Sequence, residues 1–168
     1  MKKITVNQEG NKLVLERVFD APQAVVFKAF TDGDILKQWW SPSGWITSKS
    51  EMDFLENGKW FYCMKCVDEE QTEFFGQLSC GVTTFIKVDA PHSYTSTDAF
   101  SDENGNVDED MPITKNENTF TELGGNQTKL VNTVTVDDED QIKQLIDMGM
   151  IEGVEETWIK LDKVLENL

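Results

Sequence analysis

The stretch DDEDQIKQLIDMGMIEGVEETWIKLDKVL, Asp137–Leu165, is where the hydrophobic period of the chain changes. Ile142, Leu145, Ile146, Val154, Trp158, Leu161 and Leu165 recur at helical spacing, which predicts a helix with one apolar stripe. The four acids Asp137–Asp140 stand at its start, where the helix dipole favours negative charge. The stripe continues to Leu165, so a single long C-terminal helix is expected. Gly149 and Gly153 fall on the inner stripe, and a glycine weakens a helix by ~1 kcal/mol relative to alanine. Close packing on a sheet is the commoner reason for such residues and is the one expected here. The other is that the helix leaves space over a cavity.

Upstream of this helix the pattern is strands and turns. From Trp45 to about Val136, β-rich runs alternate with turn residues. Asn57-Gly58 reads as a two-residue hairpin turn. That turn would pair Leu55 with Trp60, whereas the apolar phase of the preceding strand is Met52 and Phe54, so a one-residue bulge is needed to reconcile them. Phe74 to Val88 makes one or two strands, with Gly76 and Gly81 as bulge positions. Tyr94 to Phe100, Thr119 to Leu123 and Thr128 to Val136 complete the set. At the other end, Leu13 to Phe19 is a strand, followed by a helix capped by Asp20 with Pro22 in its first turn. A second short helix carries Leu36, Trp39 and Trp40 and breaks at Ser41-Pro42-Ser43-Gly44. The order predicts an α+β fold: a curved antiparallel sheet of about six or seven strands wrapped around a long C-terminal helix. Two short helices follow the first strand, and such a sheet cannot close tightly on one helix, so an interior pocket is expected.

Composition fits one domain over residues 1–168, with 39% hydrophobic residues, 5 Trp and 10 Phe as core material. A net charge of −16 repels phosphate backbones and anionic lipid, so neither nucleic acid nor membrane is an expected partner. No apolar run is long enough to span a bilayer. Nothing after Met1-Lys2-Lys3 resembles a signal peptide, and a cytoplasmic location is expected. Cys63, Cys66 and Cys80, an odd number, read as reduced thiols. Cys63 and Cys66 point to opposite faces of a strand, so neither a zinc set with Cys80 and His92 nor a redox CxxC is expected. The acidic loop Asp102–Asp110 matches a calcium loop at three ligand positions. It then has Val107 for the required glycine and Ile113 for the bidentate glutamate, and reads as a solvated hairpin loop.

The segments Arg17-Val18-Phe19-Asp20-Ala21-Pro22, Val26–Asp32 and Trp39-Trp40-Ser41-Pro42 resemble the opening of the START-like helix-grip superfamily (SRPBCC). Asp53–Trp60, Asp98–Asn106 and Met148–Gly153 are similar to the branch named for the activator of the heat-shock protein 90 ATPase. The resemblance runs from about Leu13 to Leu165. Lys87-Val88 and His92-Ser93 depart from the Glu-Ile and Glu-Arg usual there. It implies a helix-grip fold with a ligand held between sheet and helix, or a co-chaperone stimulating the heat-shock protein 90 ATPase. Eukaryotic activators carry a further N-terminal chaperone-binding domain, for which this chain has no room.

The expected function is binding of an apolar or aromatic small molecule, as a monomer or weak dimer, with no cofactor and no metal. Trp60, Tyr62 and Met64 share one strand phase and form the nucleus of the expected lining. Trp40, Trp45, Phe54, Phe75, Phe85, Phe100, Met150 and Trp158 are the further candidates. A cyclase or hydrolase using the same pocket needs a group titrating near neutrality. His92 sits in a turn after Pro91, and Glu51 and Asp53 alternate away from Met52 and Phe54. No catalytic constellation is expected from these three.

Overall fold

The computed structural model describes residues 3–168. Among them, eight strands form one antiparallel sheet: β1 (Thr5–Glu9), β2 (Lys12–Phe19), β3 (Trp45–Met52), β4 (Lys59–Cys66), β5 (Leu78–Asp89), β6 (Ser93–Ser101), β7 (Thr114–Leu123) and β8 (Gln127–Thr135). This exceeds the expected six or seven. The additional strand is β1, an edge strand whose five residues are all exposed, so it carries no apolar alternation to announce it. The sheet order β1-β2-β8-β7-β6-β5-β4-β3 leaves the sheet curved and unclosed, a helix-grip architecture. Strands β3 to β8 run as a meander, and the β1–β2 hairpin joins it by pairing β2 with β8.

Strand β2 shows how the sheet acquires its inner face. Leu13, Leu15, Arg17 and Phe19 are buried in strict alternation, as a half-covered antiparallel strand requires. Helix α1 (Gln23–Thr31) follows, with Pro22 at its N-cap and no side-chain cap. The expected Asp20 cap is therefore not made; the Asp20 carboxylate instead accepts from the Gln127 amide at 2.8 Å. Asp32 caps the four-residue α2 (Gly33–Leu36), accepting from the backbone N–H groups of Asp34 and Ile35. Phe27 and Phe30 of α1 pack edge-to-face on Phe120, and Trp39 is sealed against Phe30 with its indole donating to the Ala29 carbonyl.

The C-terminal stripe is two helices, not one: α3 (Glu139–Asp147) and α4 (Met150–Leu165). Gly149, at φ +90°, separates them, a left-handed conformation that side chains with a Cβ disfavour. Close packing explains neither glycine, because a Cβ on Gly153 would meet nothing within 4 Å. Helix α4 is fixed across the sheet by Arg17, which donates to the Trp158 carbonyl at 2.8 Å and pairs with Asp162. Trp158 itself stands edge-on to Phe19.

The β3–β4 connection is longer than a two-residue turn. The backbone N–H of Asp53 donates to the Lys59 carbonyl, and Met52 lies opposite Trp60. Met52 and Trp60 thus share a phase with no bulge at this hairpin. Asn57 takes a positive φ of 69°, and a Cβ on Gly58 would collide with the Asp53 carbonyl. Register shifts fall at Thr47/Lys49 and Phe85/Lys87, not at Gly76 or Gly81. Phe74 and Phe75 lie in a turn before β5 starts. Cys63 and Cys80 are directly opposed in the β4–β5 ladder, with Cα atoms 4.0 Å apart, and form a disulfide. This overturns the reading of three reduced thiols. An odd count requires one unpaired cysteine, and the free, buried one is Cys66. No helix among the described residues is long and apolar enough to cross a membrane.

Candidate functional site

Between the inner face of the sheet and the α3–α4 junction lies a cavity of about 420 Å3, within the usual range of small-molecule sites. Strand alternation builds its wall. Trp60, Tyr62 and Met64 project from β4, Thr83 and Phe85 from β5, and Tyr94, Ser96, Asp98 and Phe100 from β6. Trp40 closes one side from the turn after α2, and Met150, Gly153 and Trp158 cover the top from α4. Because Gly153 has open space where a Cβ would stand, part of this volume exists through the missing side chain.

One side of the cavity is aromatic. The Trp40 and Trp60 rings meet edge-to-face at 4.9 Å, and Trp60 lies 4.4 Å from Tyr62 between centroids. The Trp60 indole N–H is spent on the Ser50 hydroxyl at 2.9 Å, so it presents the cavity with its ring alone. The opposite side is polar. Asn132 donates to the Asn118 carbonyl oxygen at 2.9 Å, and Asn116 donates to the Thr114 hydroxyl at 2.9 Å.

Asp98 sits where the two sides meet. The Tyr62 hydroxyl donates to Asp98 Oδ2 at 3.1 Å, and the Thr83 hydroxyl donates to Oδ1 at 3.0 Å. Burial pushes this carboxyl up to about 6, against the pull of the Thr83, Tyr62 and Ala99 donors. Burial also raises the Tyr62 phenol, and the Asp98 charge adds to the rise. The same two causes raise Tyr94. Among the described residues lining the cavity there is no lysine, arginine or histidine. An ionised Asp98 therefore has hydroxyl and amide dipoles around it and no counter-charge.

Of the eleven residues expected from sequence, Trp40, Trp60, Tyr62, Met64, Phe85, Phe100, Met150 and Trp158 line this cavity. Three do not. Trp45 faces the turn beside Phe74 and donates its indole N–H to Gln71. Phe54 packs into the core on Phe27, Phe85 and Tyr94. Phe75 is 51% exposed in its turn, because the strand expected to begin at Phe74 starts only at Leu78. Glu51, Asp53 and His92 are exposed and outside the lining. Asp98 and the asparagines were missed. The signal was available: Phe100 lies in β6, and a period of two from it reaches Asp98, Ser96 and Tyr94.

The acidic loop between β6 and β7 is a surface loop. Asp102 accepts from the backbone N–H groups of Asn104 and Asn106 and from the Asn106 amide. Those hydrogen bonds, the Asn106 side chain first, hold its carboxyl below the usual value.

The family model described as Activator of Hsp90 ATPase homolog 1-like protein matches residues 20–166. No curated protein matches significantly. Among solved structures, protein Ms6760 from Mycobacterium smegmatis is 27% identical with a TM-score of 0.84, covering 97% of each chain. A protein from Arthrobacter aurescens, solved by NMR, is 26% identical with a TM-score of 0.85, over 98% of this chain and 92% of that one. One from Staphylococcus epidermidis is 28% identical with a TM-score of 0.82, over 97% and 94%.

Proposed function

The chain belongs to the Activator of Hsp90 ATPase homolog 1-like family, and on that premise we propose that it is a binding module whose cavity takes one small amphipathic molecule. The observation that carries this is the 420 Å3 space with an aromatic side at Trp40 and Trp60 and a polar side at Asp98 and Asn118. A wholly apolar ligand would strip water from the donor and acceptor positions there that the protein's own hydrogen bonds leave unfilled, at a cost of about 1–3 kcal/mol per desolvated group. The ligand class expected from sequence, apolar or aromatic, is accordingly narrowed to one with a polar end.

Tryptophan fluorescence tests the reading, since three of the five tryptophans, Trp40, Trp60 and Trp158, line the cavity. Titration with naphthyl probes carrying one polar group is expected to saturate at one equivalent. Gly153→Leu, which fills open space from α4, is expected to abolish the change while leaving the fold intact. Saturation unaltered by Gly153→Leu would place binding elsewhere.

The family description favours a second reading, stimulation of the heat-shock protein 90 ATPase. Its support is the family match alone. Unchanged ATP turnover by purified chaperone in the presence of this protein, with no complex on a sizing column, would remove it.

A further inference from the structure

We infer that the cavity recognises an organic cation, an arylalkyl ammonium whose N–H groups meet the Asp98 carboxylate while its ring lies along Trp40 and Trp60. This rests on the reading of the cavity as a ligand site and names the chemistry of the ligand.

A carboxylate offers about four lone-pair positions. The Tyr62 and Thr83 hydroxyls supply two protons to Asp98, and the pull of the Ala99 N–H is a third favourable contribution. At least one position stays open, and Asp98 is part of the cavity lining. Charge points the same way. Asp98 is the one acid among the described lining residues, none of which is a lysine, arginine or histidine. A half-buried carboxylate without a counter-charge is costly, and a bound ammonium offsets that cost, less the desolvation the ammonium itself pays on entering.

The walls add to the preference. Tyr62, whose hydroxyl touches Asp98, has its ring 4.4 Å from Trp60 and 5.6 Å from Trp40. Beside Asp98 three electron-rich rings are thus gathered, and a cation that reaches the face of one is attracted by about 0.5–2 kcal/mol. The net charge of −16 raises the local concentration of cations and lowers that of anions. A fatty-acid or other carboxylate headgroup would meet Asp98 as a like charge and is rejected.

Calorimetric titration with three near-isosteric probes tests this: 2-(1-naphthyl)ethylammonium, 2-(1-naphthyl)ethanol and 1-naphthylacetate, near neutral pH and at low salt. The ammonium is expected to bind about tenfold or more tighter than the alcohol, the size of one charge-assisted hydrogen bond, and the acetate most weakly. Asp98→Asn is expected to bring ammonium and alcohol to parity. A pH series on the unaltered protein makes the same test without a variant. The ammonium advantage should vanish as pH falls through about 6 and Asp98 takes a proton. The other titratable groups facing Asp98, Tyr62 on β4 and Tyr94 on β6, are both shifted upward and stay neutral. Equal affinity for all three probes overturns this inference and leaves the cavity reading standing. An ammonium preference that survives Asp98→Asn, or persists at low pH, also overturns it. No binding of any probe overturns both.

Discussion

Gly81 lies directly opposite Tyr62 in the β4–β5 ladder, and a Cβ on Gly81 would stand 2.6 Å from the Tyr62 Cζ. The Tyr62 ring leans over the glycine, and its hydroxyl reaches Asp98 from there. Glycine at this position is a requirement of close approach, not of backbone conformation. Gly81→Ala is expected to push the ring off its site and destabilise the protein by about 1–3 kcal/mol, the usual cost of overpacking. Urea unfolding measures the loss. In a Tyr62→Ala background, Gly81→Ala should cost much less than it does in the parent; full additivity would contradict the stated contact.

The elevated Asp98 carboxyl makes a signed prediction for stability. Its folded value of about 6 lies above the ordinary 3.8, so the folded chain holds this proton more tightly than the unfolded chain. Its contribution is complete below the ordinary value and is lost as pH rises through about 6. Asp98→Asn does not titrate. Relative to the parent, the variant should gain up to about 3 kcal/mol between low pH and neutrality. Denaturant midpoints of both proteins across that window give the answer, and a constant difference would contradict it.

The two glycines of the α3–α4 region should respond in opposite ways. Gly149→Ala forces a Cβ onto a φ of +90° and should cost about 1–2 kcal/mol. Gly153→Ala adds a methyl group inside α4 where nothing lies within 4 Å and should stabilise by up to ~1 kcal/mol. Thermal midpoints of the two variants should move to opposite sides of the parent.

The cysteines predict a labelling pattern. Alkylation of the native oxidised protein should mark none, because Cys66 is buried and the others are joined. Unfolding without reductant should expose one thiol, and unfolding with reductant all three. Closing a loop with a sequence separation of 17 stabilises by about 3 kcal/mol in the chain-entropy account. Reduction should therefore lower the unfolding midpoint, and its not doing so would argue against the bond.

Much of this structure was legible in the chain. The phase of Trp60, Tyr62 and Met64 follows from alternation alone, and the aromatic residues after α1 mark its packing. The helix stripe was legible too, but not its interruption, because Gly149 falls on the stripe and the period continues across it. The bond between Cys63 and Cys80 depends on which strands pair and in what register, which no local pattern carries. Strand β1 has no buried residue to betray it. Asp98 is a different case. It was readable from the phase of Phe100, but a search confined to apolar residues passes over it.

The most direct test of the cavity as a ligand site is methyl-carbon NMR on methionine-labelled protein. Three of the six methionines, Met64, Met148 and Met150, line the cavity, while Met52 and Met111 stand outside the lining. Addition of 2-(1-naphthyl)ethylammonium is predicted to shift the Met64 and Met150 signals along one saturable curve and to leave Met52 and Met111 in place. Signals from Met64 and Met150 that stay fixed at saturating probe would contradict the account.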